Sequence, residues 1–175
     1  MTFLQLSMNL DDLINDSSTV VRMYERVLND NFTVRMAETK SYTVDGRKSF
    51  RNPDDVARFM ANEIGLKTAA DEHAYALCLN NQNALVGLFE ISHGGTGECS
   101  MSVRETCQKA LLLNAAWIIL SHNHPGGTCA PSPEDITATK RLEKGLNTIG
   151  IGILDHIIIP GNSDKHYSMK AHGDI

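Results

Sequence analysis

The stretch from Trp117 to Asp135 constrains this chain most. It passes from a continuous apolar run, Trp117-Ile118-Ile119-Leu120, into Ser121-His122-Asn123-His124-Pro125-Gly126-Gly127, and then into Ser132-Pro133-Glu134-Asp135. A short apolar run of this kind reads as a strand buried on both faces. Ser before Pro before two acidic residues reads as the capped start of a helix. The segment therefore predicts a central strand, a tight Pro-Gly-Gly loop and a following helix.

The neighbouring patterns extend that plan. Asn52-Pro53 starts a helix expected to reach about Leu66. Strands are expected over Glu72–Asn80 and Ala84–Ile91, joined at Asn81-Gln82-Asn83. Ser102 and Glu105 have capping-box spacing before a helix to about Ala115. A helix from Pro133 to about Asn147 precedes a strand at Ile153–Ile159 and a short one at His166–Met169. Upstream, Val20, Val21, Tyr24, Val27 and Leu28 recur at helical spacing, with Ser17 or Ser18 as the cap. Residues 32–50 read as a hairpin turning at Asp45-Gly46. The alternation predicts an α/β (α+β) fold: a mixed β-sheet flanked by helices. Residues 1–50 are expected to form an N-terminal helix-and-hairpin extension, and residues 51–175 the main domain.

Two histidines two apart on an extended chain project to the same side. His122 and His124 can thus reach one ion, and Asp135 arrives in the first helical turn as an oxygen ligand. Three such donors leave a fourth tetrahedral position for water, as in catalytic zinc sites; iron, nickel and manganese share this preference in part. Taken alone, Ser132 to Asp135 has a sufficient structural explanation as a capping box. The His-x-His upstream makes metal binding the better reading, and the two roles are compatible.

His-x-His, seven residues, then Ser-x-x-Asp resembles the JAMM motif of JAB/MPN metalloproteases. HNHPGG, PSPED, KALLLNAA and LDHIII resemble its RadC branch over roughly residues 50–170. The resemblance implies a three-layer, cytidine-deaminase-like architecture, a zinc ion (Zn2+), and hydrolysis of a peptide or isopeptide bond in a protein or peptide substrate. It implies His122, His124 and Asp135 as metal ligands and an upstream glutamate as general base. Glu72 is the best match for that base and Glu90 the alternative. It implies that the Ser132 hydroxyl donates to the developing oxyanion. The chain departs from the branch in two places. Gly127 stands where those members usually have Ser, and the first fifty residues do not resemble their helix-hairpin-helix region.

Composition narrows the alternatives. A net charge of −5 counts against a nucleic-acid partner, the alternative being a non-catalytic zinc module that binds a partner protein or DNA in DNA repair. No apolar run approaches the roughly 20 residues that span a bilayer, and the start lacks a signal-peptide pattern, so a cytoplasmic location is expected. A homodimer is the expected assembly. The four cysteines form no CxxC pair and are expected as free thiols, Cys78 in the core and Cys129 in the loop. His156 reads as a hydrogen-bonded core histidine, with support of the metal site as the alternative. His73, His93, His166 and His172 read as surface residues. Gly94-Gly95-Thr96-Gly97 lacks the Lys-Ser/Thr of a phosphate loop.

Overall fold

The computed structural model describes residues 18–28, 30–31, 33–45, 50–94 and 101–175. The stretch 1–17, the Gly46 turn position and most of the 94–97 glycine loop, with Cys99, lie outside the described residues. Among the described residues seven strands form one mixed sheet, as expected for this class: β1 (Ser18–Leu28), β2 (Val34–Asp45), β3 (Glu72–Leu79), β4 (Leu85–Gly94), β5 (Trp117–His124), β6 (Gly152–Pro160) and β7 (Tyr167–Ser168). Their spatial order is β2-β1-β4-β3-β5-β6-β7. The centre runs β4 antiparallel to β3, β3 antiparallel to β5, and β5 parallel to β6.

Helices cover both faces. On one lies α1 (Pro53–Arg58), which continues as a π-helical turn, Phe59–Glu63, and a 3-10 turn, Leu66–Thr68. Val56, Phe59, Met60 and Leu66 pack there on Leu77, Leu88, Ile119 and Ile157. The other face carries α2 (Val103–Leu112) and α3 (Pro133–Thr148). There Ala110, Leu142 and Leu146 meet Ala76, Cys78, Phe89, Ile118 and Leu120. Covering on both sides explains why β3 and β5 are apolar without alternation. Burial pushes the Cys78 thiol up to about 12, so it is an inert core residue.

The caps follow local chemistry. The Asn52 side chain accepts from the Asp55 amide at 2.9 Å, and Pro53 opens α1. At α2 the Ser102 hydroxyl accepts from the Glu105 amide, but the box is not closed. The Glu105 carboxylate instead pairs with Arg26 of β1 at 2.8 Å. Asp155 ties the end of the fold together: it accepts from Ser168 Oγ at 2.6 Å and from the Lys170 amide at 3.0 Å. Ser168 in turn caps a short helix, α4 (Met169–His172), so the strand expected at His166–Met169 ends at Ser168.

One expectation fails in the N-terminal region: Val20–Leu28 is strand, not helix. Residues 34–45 form one strand, and the Gly46 position of the turn expected at Asp45-Gly46 lies outside the described residues. A reversal at Asp30-Asn31 pairs β2 with β1 from Leu28↔Val34 to Ser18↔Asp45. Apolar residues occupy both faces of β1, Val21 and Val27 on one and Val20, Tyr24 and Leu28 on the other, so positions 20, 21, 24, 27 and 28 imitate a helical period. The register shift at Met23/Tyr24 leaves the extra residue, Thr39, in β2. Three valines in eleven residues favour the strand.

Candidate metal centre

Register brings the site together. Ala74 of β3 is opposite His122 of β5. Continuing that antiparallel register puts Glu72 opposite His124, with all four side chains on the α2/α3 face. Asn123, between the histidines, points the other way and clamps β5 to the start of β3. Its Oδ1 accepts from the His73 amide at 2.8 Å and its Nδ2 donates to the Asp71 carbonyl at 2.9 Å. The residues on either side of Glu72 are thereby held.

Asp135 comes from the first turn of α3. Ser132 and Asp135 form a full capping box: Ser132 Oγ accepts from the Asp135 amide at 3.1 Å, and Asp135 Oδ2 accepts from the Ser132 amide at 2.8 Å. The Ser132 hydroxyl also donates to Asp135 Oδ2, at 2.6 Å. The cap thus fixes the carboxylate's rotamer, leaving Oδ1 3.4 Å from His122 Nε2 and Oδ2 3.4 Å from His124 Nε2. The Ser132 proton is committed to Asp135, so donation to a substrate oxygen requires it to leave that bond.

The loop between His124 and Ser132 is held by backbone contacts. His124 O accepts from Gly127 N at 3.0 Å and from Gly161 N at 2.9 Å. Gly127 has φ +81°, a conformation that strains residues with a Cβ. A Cβ on Gly161 would lie 2.6 Å from the Pro125 carbonyl oxygen, so glycine is what lets the loop after β6 brace the loop after β5.

Hydrogen bonds behind the histidines set their tautomers. Thr139 Oγ1 donates to the Asp135 carbonyl at 2.6 Å. Its one proton is thereby used, and it accepts from His156 Nδ1 at 2.7 Å. His156 Nε2 then carries a lone pair and accepts from His122 Nδ1, 2.7 Å away. His122 Nε2 is left as a lone pair facing the site. Likewise His124 Nδ1 donates to the Thr128 carbonyl at 3.1 Å, and its Nε2 faces inward. The chain requires a neutral His156. Burial first, and then the repulsion that a charge on His122 would exert, hold its pKa well below the usual histidine value.

Two imidazole Nε2 atoms 2.9 Å apart, with a carboxylate against both, make a donor set suited to a cation between them. Burial acts to raise the Asp135 pKa. When a proton rather than an ion occupies the inward Nε2 atoms, hydrogen bonding by His122 and His124, the His122 charge and the Ser132 bond outweigh it and hold the group well below the usual carboxylate range. His124 is shifted upward, chiefly by its bond to Asp135, against burial.

The ligand atoms of Glu72, His122, His124 and Asp135 all lie within 4.8 Å of one another. His122 and Asp135 are buried, whereas Glu72 and His124 are half-buried, so solvent reaches the centre from their side. Glu90 is not in this group; its carboxylate is 2.7 Å from His73 Nδ1. Cys129 is outside it as well. Two supporting residues carry little sequence signal: Asn123 belongs to no motif of its own, and His156 reads first as a hydrogen-bonded core histidine, with support of the metal site as the alternative. The clue for Asn123 is its place between two histidines on a strand, where it must face the opposite side.

Comparison with known proteins identifies the family. A family model described as a RadC-like JAB domain matches residues 50–174. A UPF0758 protein of Carboxydothermus hydrogenoformans is 38% identical over 129 residues, covering 74% of this chain and 55% of its own. A UPF0758 protein of Bacillus cereus is 42% identical over 129 residues, covering 74% and 56%. One of Desulfitobacterium hafniense is 34% identical over 151 residues, covering 81% and 65%. The chain spans about half the length of the first two.

Proposed function

This chain belongs to the RadC-like JAB domain family, and on that basis we propose that it is a JAMM-type zinc metallohydrolase acting on a peptide or isopeptide bond. The observation that carries the reading is the convergence of Glu72, His122, His124 and Asp135 within 4.8 Å, with both imidazoles oriented from behind. In this reading His122 Nε2, His124 Nε2 and Asp135 hold the ion. When bound, zinc supplies a Lewis acid that polarises a carbonyl and acidifies water. Glu72 takes a proton from the attacking water and delivers it to the leaving amine, within reach directly or through one water. Ser132 turns its hydroxyl from Asp135 towards the developing oxyanion.

Access from the Glu72 and His124 side supports an open centre rather than a closed structural one. A protein or peptide is the proposed substrate; the net charge of −5 counts against nucleic acid. Cys78, Cys107 and Cys129 are free thiols, which fits the proposed cytoplasmic setting. Among the described residues no helix is long and apolar enough to cross a membrane.

The test is metal content by mass spectrometry on tag-free protein, followed by a peptidase screen. His122→Ala/His124→Ala should lose the zinc that this centre holds. Glu72→Gln should keep that zinc and lower kcat by about 10²–10⁴-fold. Wild-type protein without metal would sink the reading. Zinc that depends on the histidines, without turnover on any peptide, would favour a non-catalytic binding module.

A further inference from the structure

We propose that His73, Glu90 and His93 form a second divalent transition-metal site, on the opposite face of the sheet from the centre described above. It rests on residues that the proposed hydrolase does not use.

The site is built by strand pairing. His73 of β3 is directly opposite His93 of β4, and Tyr75 is opposite Glu90. Facing residues on antiparallel strands hold their side chains side by side, and here that produces two imidazoles and a carboxylate on one face. The His73 and His93 rings stack at 4.1 Å between centroids. Glu90 Oε1 lies 2.7 Å from His73 Nδ1. One ligand atom from each of the three residues lies within 4.8 Å of the others. Donors around tetrahedral zinc, each about 2.0–2.2 Å from the ion, sit roughly 3.5 Å apart. A modest side-chain rotation therefore closes the set, and His93, with 53% of its side chain exposed, is free to make it.

A structural histidine–carboxylate pair would need only His73 and Glu90. His93 adds a second imidazole whose Nε2 is 3.9 Å from Asp71 Oδ2, too far for a hydrogen bond but placed to bring a fourth oxygen towards an ion. Lys109 is the nearby cation. Its ammonium donates to the Glu90 carbonyl at 2.8 Å, leaving the Glu90 carboxylate to the histidines. Two nitrogens and one or two oxygens suit zinc, nickel, cobalt or copper rather than magnesium or calcium. An ion here would cross-link β3 and β4 beside Glu72.

Calorimetric titration of chelator-treated, tag-free full chain with Zn2+ tests this. His122→Ala/His124→Ala protein should still take up one equivalent. Adding His93→Ala or, separately, Glu90→Gln should weaken that uptake at least tenfold. His93 is half exposed, so the fold should survive; circular dichroism verifies it, and Glu90→Gln provides an independent variant. The proposal is overturned if the double histidine variant binds no zinc, or if neither added change weakens what it binds. Failure of the hydrolase reading appears separately, as zinc uptake by wild type that His122→Ala/His124→Ala leaves unchanged.

Discussion

His122 presents Nε2 to the centre because its other nitrogen donates to His156, and His156 is held by Thr139. A ligand ring without such a partner can rotate or protonate the wrong nitrogen, and losing one typically costs 10–100-fold in metal affinity. His156→Leu should therefore weaken zinc binding by about 10–100-fold in a chelator competition, with Gln at this position recovering part of it through its side-chain oxygen. Unchanged affinity would reduce His156 to core packing. His122, His124 and Asp135 were legible as donors because their spacing is local. The partner of His122 was not, because it lies on another strand, 34 positions away. Glu72 and Glu90 were both candidates in sequence. The geometry brings Glu72 to the His122, His124 and Asp135 cluster and Glu90 to His73, because successive strand residues face opposite sides and the β3–β4 register decides which side meets α3.

At the scale of the element, α3 does two jobs with one motif. Its capping box satisfies amides at the helix start and aims Asp135. Ser132→Ala should cost about 1 kcal/mol of stability, a fall in Tm of roughly 2–4 °C for a chain of this size, and Ser132→Thr should restore most of it. A drop in activity larger than that loss of folded protein explains, measured under conditions where the variant is fully folded, would mark the proposed oxyanion role. No change in Tm would mean that Pro133 and the dipole suffice to start the helix. The boundaries of α3, β3 and β5 could be read from caps and apolar runs. β1 could not: its apolar residues fall on both faces, with Val20 and Leu28 exposed, so it lacks the alternation that identifies a strand, and its partners, β2 and β4, are what hold it extended.

At the scale of the whole fold, the described residues form a seven-stranded sheet with helices on both faces, and residues before Phe50 share its core: Val21 is 2% exposed and packs in the cluster that includes Leu77 and Leu88. Val21→Asp should therefore destabilise the entire chain by at least about 3 kcal/mol, lowering Tm by roughly 6–12 °C. An unaffected Tm would show that β1 is a dispensable arm. By itself the sequence determined the fold class, the strand–loop–helix unit at residues 117–135 and three candidate donors, since each depends on periodicity or spacing within one or two elements. The tertiary structure alone decided which glutamate joins them, how His156 and Asn123 hold the centre, that Ser132 is bonded to Asp135, and that His73 meets Glu90 and His93. Those outcomes depend on strand register and on which helix covers which face. Both are set by packing between segments far apart in the chain, so no local pattern records them.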